Sequence, residues 1–226
     1  VSTAKKRPGP APPRLPELRP GKKGGKRDEN RRRRIRQICD AALPLLLEQG
    51  VAAVTIDQIV AGAGIAKGSF YRYFKDKAEL VETLFEPLAT GMRAAFDACA
   101  EALDEDVEPT ELPAIYLRLA AQLATFIGDR PDLLRLYLQE NRSPAVGARA
   151  PIRHLADEIA ERGVALSAKA RDFGLLDDSD PRIGALTVIG ATERLLFAFL
   201  QGDELGPPAD VPRVLIQMIL DGVRRR

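Results

Sequence analysis

Histidine, cysteine and tryptophan are almost missing from this 226-residue chain, which holds one His, two Cys and no Trp. The lone histidine, His154, excludes a multi-histidine metal site and leaves a histidine-based hydrolytic triad a single place to stand. Cys39 and Cys99 cannot build a disulfide framework, and neither has the neighbouring Cys or His of a zinc site. No paired acids or activated nucleophile stand out, so neither an enzyme nor a bound metal or cofactor is expected. No apolar run approaches the eighteen or so residues that span a bilayer. The N-terminus lacks the apolar centre of a secretory signal, which makes the cytoplasm the expected location. Strand–turn–strand signals and internal repeats are missing too.

What is present divides by charge. The net charge is only +2, yet residues 1–36 carry 14 Lys and Arg against three acids. The remaining 190 residues hold 20 basic and 29 acidic side chains, a balance of −9 against +11 at the N-terminal end. Such separation suits a polyanion met by one end of the molecule, and equally a solubilising tail. Hydrophobic residues at 45% allow a sizeable core, in one large domain or two small ones. Six prolines between Pro8 and Pro20, followed by a Gly/Lys stretch, make residues 1–27 a disordered basic tail by expectation.

From about Asp28 the pattern is helical throughout, and an all-α fold is expected. Ile35, Ile38, Ala42, Leu45 and Leu46 recur at steps of three and four up to Gly50. Pro44 interrupts this first helix and Pro87 interrupts the fourth, where kinks are expected. Thr55-Ile56-Asp57-Gln58 is a capping box opening a short second helix, and Gly64 suits a left-handed turn after it. A third helix is expected over Ile65 to Phe74. Asp76-Lys77-Ala78-Glu79 opens a long fourth one, with further helices at about 112–127, 131–141, 146–173, 181–201 and 209–224. Ile152, Leu155, Ile159, Gly163, Leu166, Ala170 and Phe173 would share one face, with His154 on the solvent side.

Two short helices joined by a glycine-containing turn form a helix-turn-helix, whose second helix can enter the major groove of DNA. Lys67, Arg72, Lys75 and Lys77 supply charge, Gly68 lets backbone approach a duplex, and Ser69, Tyr71 and Tyr73 supply polar tips. Phe70 and Phe74, one turn apart, would pack inward and leave Tyr71 and Arg72 outside. The glycine-rich run before Lys67-Gly68-Ser69 is no phosphate loop, because Lys and Gly stand in the wrong order and no strand precedes it.

Residues Thr55 to Leu80, TIDQIVAGAGIAKGSFYRYFKDKAEL, resemble the DNA-binding signature of the tetracycline-repressor (TetR) family. The specific likeness covers about residues 30–85, and the rest agrees in length and helix pattern. It implies a homodimeric transcription regulator, commonly a repressor of a palindromic operator, released by a small molecule. Domains would run 1–27 for the tail, 28–76 for the DNA-binding part and 77–226 for a ligand-binding and dimerisation body. By the same resemblance Thr55 would meet a phosphate, Lys67 and Gly68 would lie at the groove, and Tyr71, Tyr73 and Lys77 would reach the backbone. Arg31, Arg32, Arg33 and Arg34, at the start of the first helix, are the nearest partners for phosphate beside it. Two positions depart from the family pattern. Ala66 stands where a Ser or Thr usually caps the reading helix, and Arg72 replaces the more usual His, Tyr or Trp. Arginine there can take guanine O6 and N7 together.

A half-site reader gains specificity as a two-fold dimer. The last two helices offer Ile183, Leu186, Ile189, Gly190, Leu196 and Phe197 on one, and Val214, Leu215, Met218 and Ile219 on the other. These faces serve equally as monomer core, but in the family such a pair forms a four-helix interface with its copy. An effector cavity would lie among the fourth to eighth helices. Its expected lining is Met92, Phe96, Tyr116, Leu119, Leu123, Phe126, Leu134 and Tyr137, with Gln139, Asn141, Glu193 or Arg194 as polar contacts. Pockets and cores use the same side chains. An apolar effector suits this set better than an anion.

Overall fold

The computed structural model describes residues 25–177, 180–206 and 210–223. Among them every regular element is helical: α1 (Lys26–Gln49), α2 (Ile56–Gly62), α3 (Lys67–Phe70), α4 (Lys77–Ala102), α5 (Leu112–Gly128), α6 (Pro131–Glu140), α7 (Ala150–Asp172), α8 (Pro181–Leu200) and α9 (Asp210–Val223). A 3₁₀ turn, Gly147–Arg149, leads into α7. The expected disordered tail lies mostly outside the described residues, and its assigned end at 27 is too late, because α1 begins at Lys26. Both α1 and α4 continue through their internal prolines, Pro44 and Pro87.

Local chemistry sets the helix ends. Thr55 accepts a hydrogen bond from the Gln58 N–H, and the Gln58 side chain accepts from the Thr55 N–H at 2.8 Å, so the expected capping box is complete. Gly64 takes a left-handed φ of 63° in the turn that follows. Asp76 caps α4 by accepting from the Glu79 N–H at 2.9 Å, while the Glu79 carboxylate accepts from the Lys75 N–H. Pro131 and Pro181 occupy first turns, where a missing N–H costs nothing.

The third helix is the main departure from expectation. It spans Lys67–Phe70 rather than Ile65 to Phe74, and the chain then closes in tighter turns, with Arg72 N–H bonded to Ser69 O and Tyr73 N–H to Phe70 O. Its N-cap, Ala66, makes no side-chain hydrogen bond, and Gly68 and the four aromatics from Phe70 to Phe74 are weak helix formers. Packing holds this segment in place. Phe70 and Phe74 are buried with ring centroids 5.4 Å apart, in one core with Ile38, Ala42 and Leu46 of α1 and Leu80, Val81 and Leu84 of α4.

α4 is the spine, packed against α5, α7 and the 3₁₀ turn. Its bond to α7 is partly ionic: Arg93 grips Glu158 with two bonds of 2.8 and 3.0 Å, and Arg162 bridges Glu158 to Asp97. Ile152, Leu155, Leu166 and Ala170 of α7 are buried and His154 is exposed, as expected. Phe173, expected on the buried face, is exposed instead, because α7 has ended at Asp172 and the ring lies under the Lys169 ammonium. α7 also pairs with α8, and α5 with α9.

α8 corrects a second expectation. By length and composition it is apolar enough to cross a membrane, although Arg182, Glu193 and Arg194 interrupt its apolar residues. Only Ala185 and Ala198 of this helix are buried.

Replacing Phe70 by Ala removes the ring that anchors α3. Urea unfolding is expected to show a loss of about 3–5 kcal/mol. A loss below about 1 kcal/mol would mean that the short helix is held by something else.

Candidate nucleic-acid interface

With Phe70 and Phe74 turned inward, Lys67, Gly68, Tyr71 and Arg72 are exposed and Ser69 and Tyr73 are half-buried. Tyr71 is 52% exposed, and its ring meets that of Phe70 edge-on at 5.5 Å. Tyr73 packs against the core instead of standing free, so only its outer part is available to a phosphate. Gly68 has open space around the position a Cβ would take.

The charges on this face are not equivalent. The Lys67 ammonium lies 2.9 Å from a carboxylate oxygen of Asp57 on α2, and that hydrogen bond raises its pKa above the ordinary lysine value. Asp57 thus quenches a cation that residue type alone would count as available. Arg72 bonds at 2.7 Å to the neutral Ser69 hydroxyl, which orients the guanidinium without cancelling its charge. Arg72 is the stronger uncancelled cation of the two.

Lys77 occupies a different place from the one expected. Its ammonium donates to the carbonyls of Ala52 and Val54 in the α1–α2 turn. Burial pulls its pKa below the lysine norm, and repulsion from Arg149 adds to this. The residue therefore braces the turn, rather than extending free toward a phosphate. Thr55 is exposed at the start of α2, but its hydroxyl is already used in the cap, accepting from Gln58 N–H and donating to Gln58 Oε1 at 2.9 Å.

The arginine run lies on exposed or half-exposed surface at the start of α1. Arg32 pairs with Asp28 at 3.0 Å, Arg33 donates to Asn30, and Arg34 donates to Gln37. Gln37 in turn donates to the carbonyl of Ala63, in the turn between α2 and α3. That link connects the basic end of α1 to the short-helix pair, and no spacing rule in the sequence pointed to Gln37 or Asp57.

Residues 38–84 match the family model described as bacterial regulatory proteins, tetR family. The likeness to that family is specific over this segment, which holds the second half of α1, the short helices α2 and α3, and the start of α4. Solved structures with the same fold include SmeT, the repressor of the Stenotrophomonas maltophilia multidrug efflux pump SmeDEF. That protein is 22% identical, with a TM-score of 0.61 over 84% of this chain and 90% of the other. The ketosteroid transcriptional regulator KstR2 of Mycobacterium tuberculosis gives 20% identity and a TM-score of 0.62 over 85% and 96% of the two chains. FadR from Bacillus subtilis, solved in complex with stearoyl-CoA, gives 18% and 0.61 over 84% and 99%. Within the matched segment, α2 and α3 form the DNA-binding helix-turn-helix.

In the helical body, the expected effector lining is largely covered. Met92, Phe96, Leu134, Tyr137 and Asn141 are buried, and Tyr116, Leu119, Leu123 and Glu193 are half-buried. Phe126 is 36% exposed and seats its ring where a Cβ on Gly91 would fall 2.7 Å away. Three of these residues do meet: Tyr137 and Asn141 donate to Glu193 Oε1 at 2.9 and 2.7 Å, and Arg142 donates to Oε2. Burial, then the Glu193 charge, pushes the Tyr137 phenol above its ordinary pKa. Gln139 and Arg194 take no part in this cluster and are exposed. Two grooves open elsewhere. One, of about 190 Å³, lies between α7 and α8 at Ala160, Val164 and Leu186. The other, of about 250 Å³, lies between α4 and α7 at Phe85, Arg93 and His154.

The open space at Gly68 separates folding from DNA contact. Gly68→Ala is expected to leave thermal stability unchanged or raise it by up to about 1 kcal/mol, since Ala is the better helix former. Affinity for operator DNA should fall at least tenfold, because the methyl group holds backbone away from the duplex. Unchanged affinity in a titration would remove Gly68 from the interface.

Proposed function

We propose that the chain acts as a homodimer, binds a palindromic operator through α3, and represses transcription until a small-molecule effector bound in the body releases it. The observation that carries this reading is the presentation of α3. Two buried rings fix a four-residue helix and the turn after it, whose outer side shows Lys67, Gly68, Tyr71 and Arg72 to solvent. In this reading Arg72 takes guanine O6 and N7, while Tyr71, Tyr73, Thr55 and Arg31 to Arg34 position the head on phosphates. Acting on DNA, the protein works in the cytoplasm and performs no catalysis of its own.

Dimerisation draws support from α8 and α9. Ile183, Leu186, Phe197, Val214 and Met218 are exposed, and Ile189, Gly190, Leu196, Leu215 and Ile219 are only half-covered. Apolar faces of this extent on two neighbouring helices need a cover, and a second copy supplies one with matching chemistry. The effector is an apolar molecule of modest size, in keeping with a body built from aliphatic and aromatic side chains. FadR, a neighbour in fold, was solved with stearoyl-CoA, whose acyl chain has that character. That most of the expected lining is buried or half-buried favours a second reading, a constitutive DNA-binding protein with no effector; metabolite titration into the binding assay separates the two.

The reading is tested by footprinting the protein at fixed salt on DNA flanking its own gene. A protected palindrome is expected, with half-site centres one helical turn or a multiple of it apart. On that operator Arg72→Ala should relax preference at one G·C pair per half-site, by about 1–3 kcal/mol. Uniform weakening on every operator variant, with a smaller salt slope, would make Arg72 a phosphate contact instead.

Light scattering tests the assembly. The wild-type chain should run at twice 24.7 kDa, and the double variant Ile183→Glu/Met218→Glu at the single mass. A wild-type monomer at micromolar concentration would refute the interface.

A further inference from the structure

Glu140 is the one charged residue among the fully described that is buried, with 4% of its surface exposed. It belongs to the apolar stripe of α6, one turn beyond Leu136 and Tyr137, where an aliphatic residue would be the simplest choice. Its carboxylate is fully engaged. Oε1 accepts from the Val51 N–H at 2.8 Å, and Oε2 accepts from Arg149 Nε at 2.7 Å and from the Ser143 hydroxyl at 3.3 Å.

Val51 belongs to the DNA-binding head, directly after the end of α1. Four residues later Thr55 opens α2. The turn between them is therefore held from two sides, by Glu140 of the body on an N–H and by Lys77 of α4 on the carbonyls of Ala52 and Val54. Gly50 makes the first contact possible. It sits at φ 81°, and a Cβ there would lie 3.3 Å from Glu140 Oε1. Its neighbour Asn141 is bound in the opposite direction, to Glu193 of α8. Adjacent residues at the end of α6 thus hold the head on one side and α8 on the other.

We propose that Glu140 is a positioning residue for DNA recognition: its carboxylate sets the α1–α2 turn, and hence the reading pair α2–α3, relative to the body. The inference rests on the DNA-binding reading above. A residue that merely stabilised the fold would lower the melting temperature and leave the affinity of the folded protein intact. A positioning residue changes the affinity of the folded protein, because the two reading heads of a dimer must meet one fixed half-site spacing.

The experiment uses the full-length protein and its own operator fragment, well below the melting temperature. Glu140→Ala should lose at least tenfold in operator affinity with its helical circular dichroism retained. Glu140→Gln keeps an acceptor for Val51 and should return to within threefold of wild type. Leu136→Ala, fully buried on the same helix but outside the clamp, should destabilise the protein at least as much and bind within threefold of wild type. Wild-type affinity in Glu140→Ala, or an affinity loss in Leu136→Ala as large as that in Glu140→Ala, overturns the proposal. Should Glu140→Ala fail to fold, amide hydrogen exchange on the wild type decides. Val51 must be as slow as helix-interior amides, and rapid exchange there rejects the clamp. A wild-type protein that binds no duplex fails the DNA-binding reading itself, whereas a binding wild type with an indifferent Glu140→Ala fails only the clamp.

Discussion

The whole arrangement depends on burying two phenylalanine rings beneath a helix too short to hold itself together. A four-residue helix closes too few hydrogen bonds to repay the entropy of its own nucleation. Phe70 and Phe74 supply what the backbone lacks, burying their rings between the middle of α1 and the first turns of α4. Because the anchor is apolar and inward, the outward side is free of structural duties. Lys67, Gly68, Tyr71 and Arg72 can then be chosen for what they meet outside. The tight turns after Phe70 follow from the same anchor, since both rings must reach one pocket while the chain turns toward α4.

Electrostatics on this surface cannot be read by counting cations. Lys67 is neutralised by Asp57, and Lys77 is drawn into the α1–α2 turn, which leaves Arg72 as a charge oriented by a neutral partner. The lysine on the turn is a bracing group because the carbonyls of Ala52 and Val54 accept from it, and a half-buried ammonium that satisfies carbonyls is cheaper than one left alone. The body repeats the lesson. Glu140 and Glu193 are acids on apolar elements, and each is held by several donors from outside its own helix.

Much of the architecture was legible in periodicity. Helix limits from α5 to α9 follow the prolines at their starts and the three-four spacing of apolar residues, both of which are local rules. The capping box at Thr55 and the left-handed Gly64 are equally local and appear as expected. The true length of α3 was not legible, because the helical pattern of Phe70 and Phe74 is satisfied as well by tighter turns as by a continuous helix. Gln37, Asp57 and Glu140 gave weaker hints, since their partners lie 26, 10 and 89 residues away. For Glu140 the hint existed: a carboxylate in the middle of an apolar stripe needs a buried partner. Which partner it has is a matter of how α6 crosses the end of α1.

By itself, then, the amino-acid order determined an all-helical chain, the place of its short-helix pair and the sign of its outer face, because propensity, capping and apolar spacing act over a few residues. Tertiary structure alone decided which cations are spent, that Tyr137 and Asn141 meet Glu193, and that α6 reaches the head through one carboxylate. Those outcomes rest on contacts between side chains far apart in the chain, and such contacts exist only once the helices have packed.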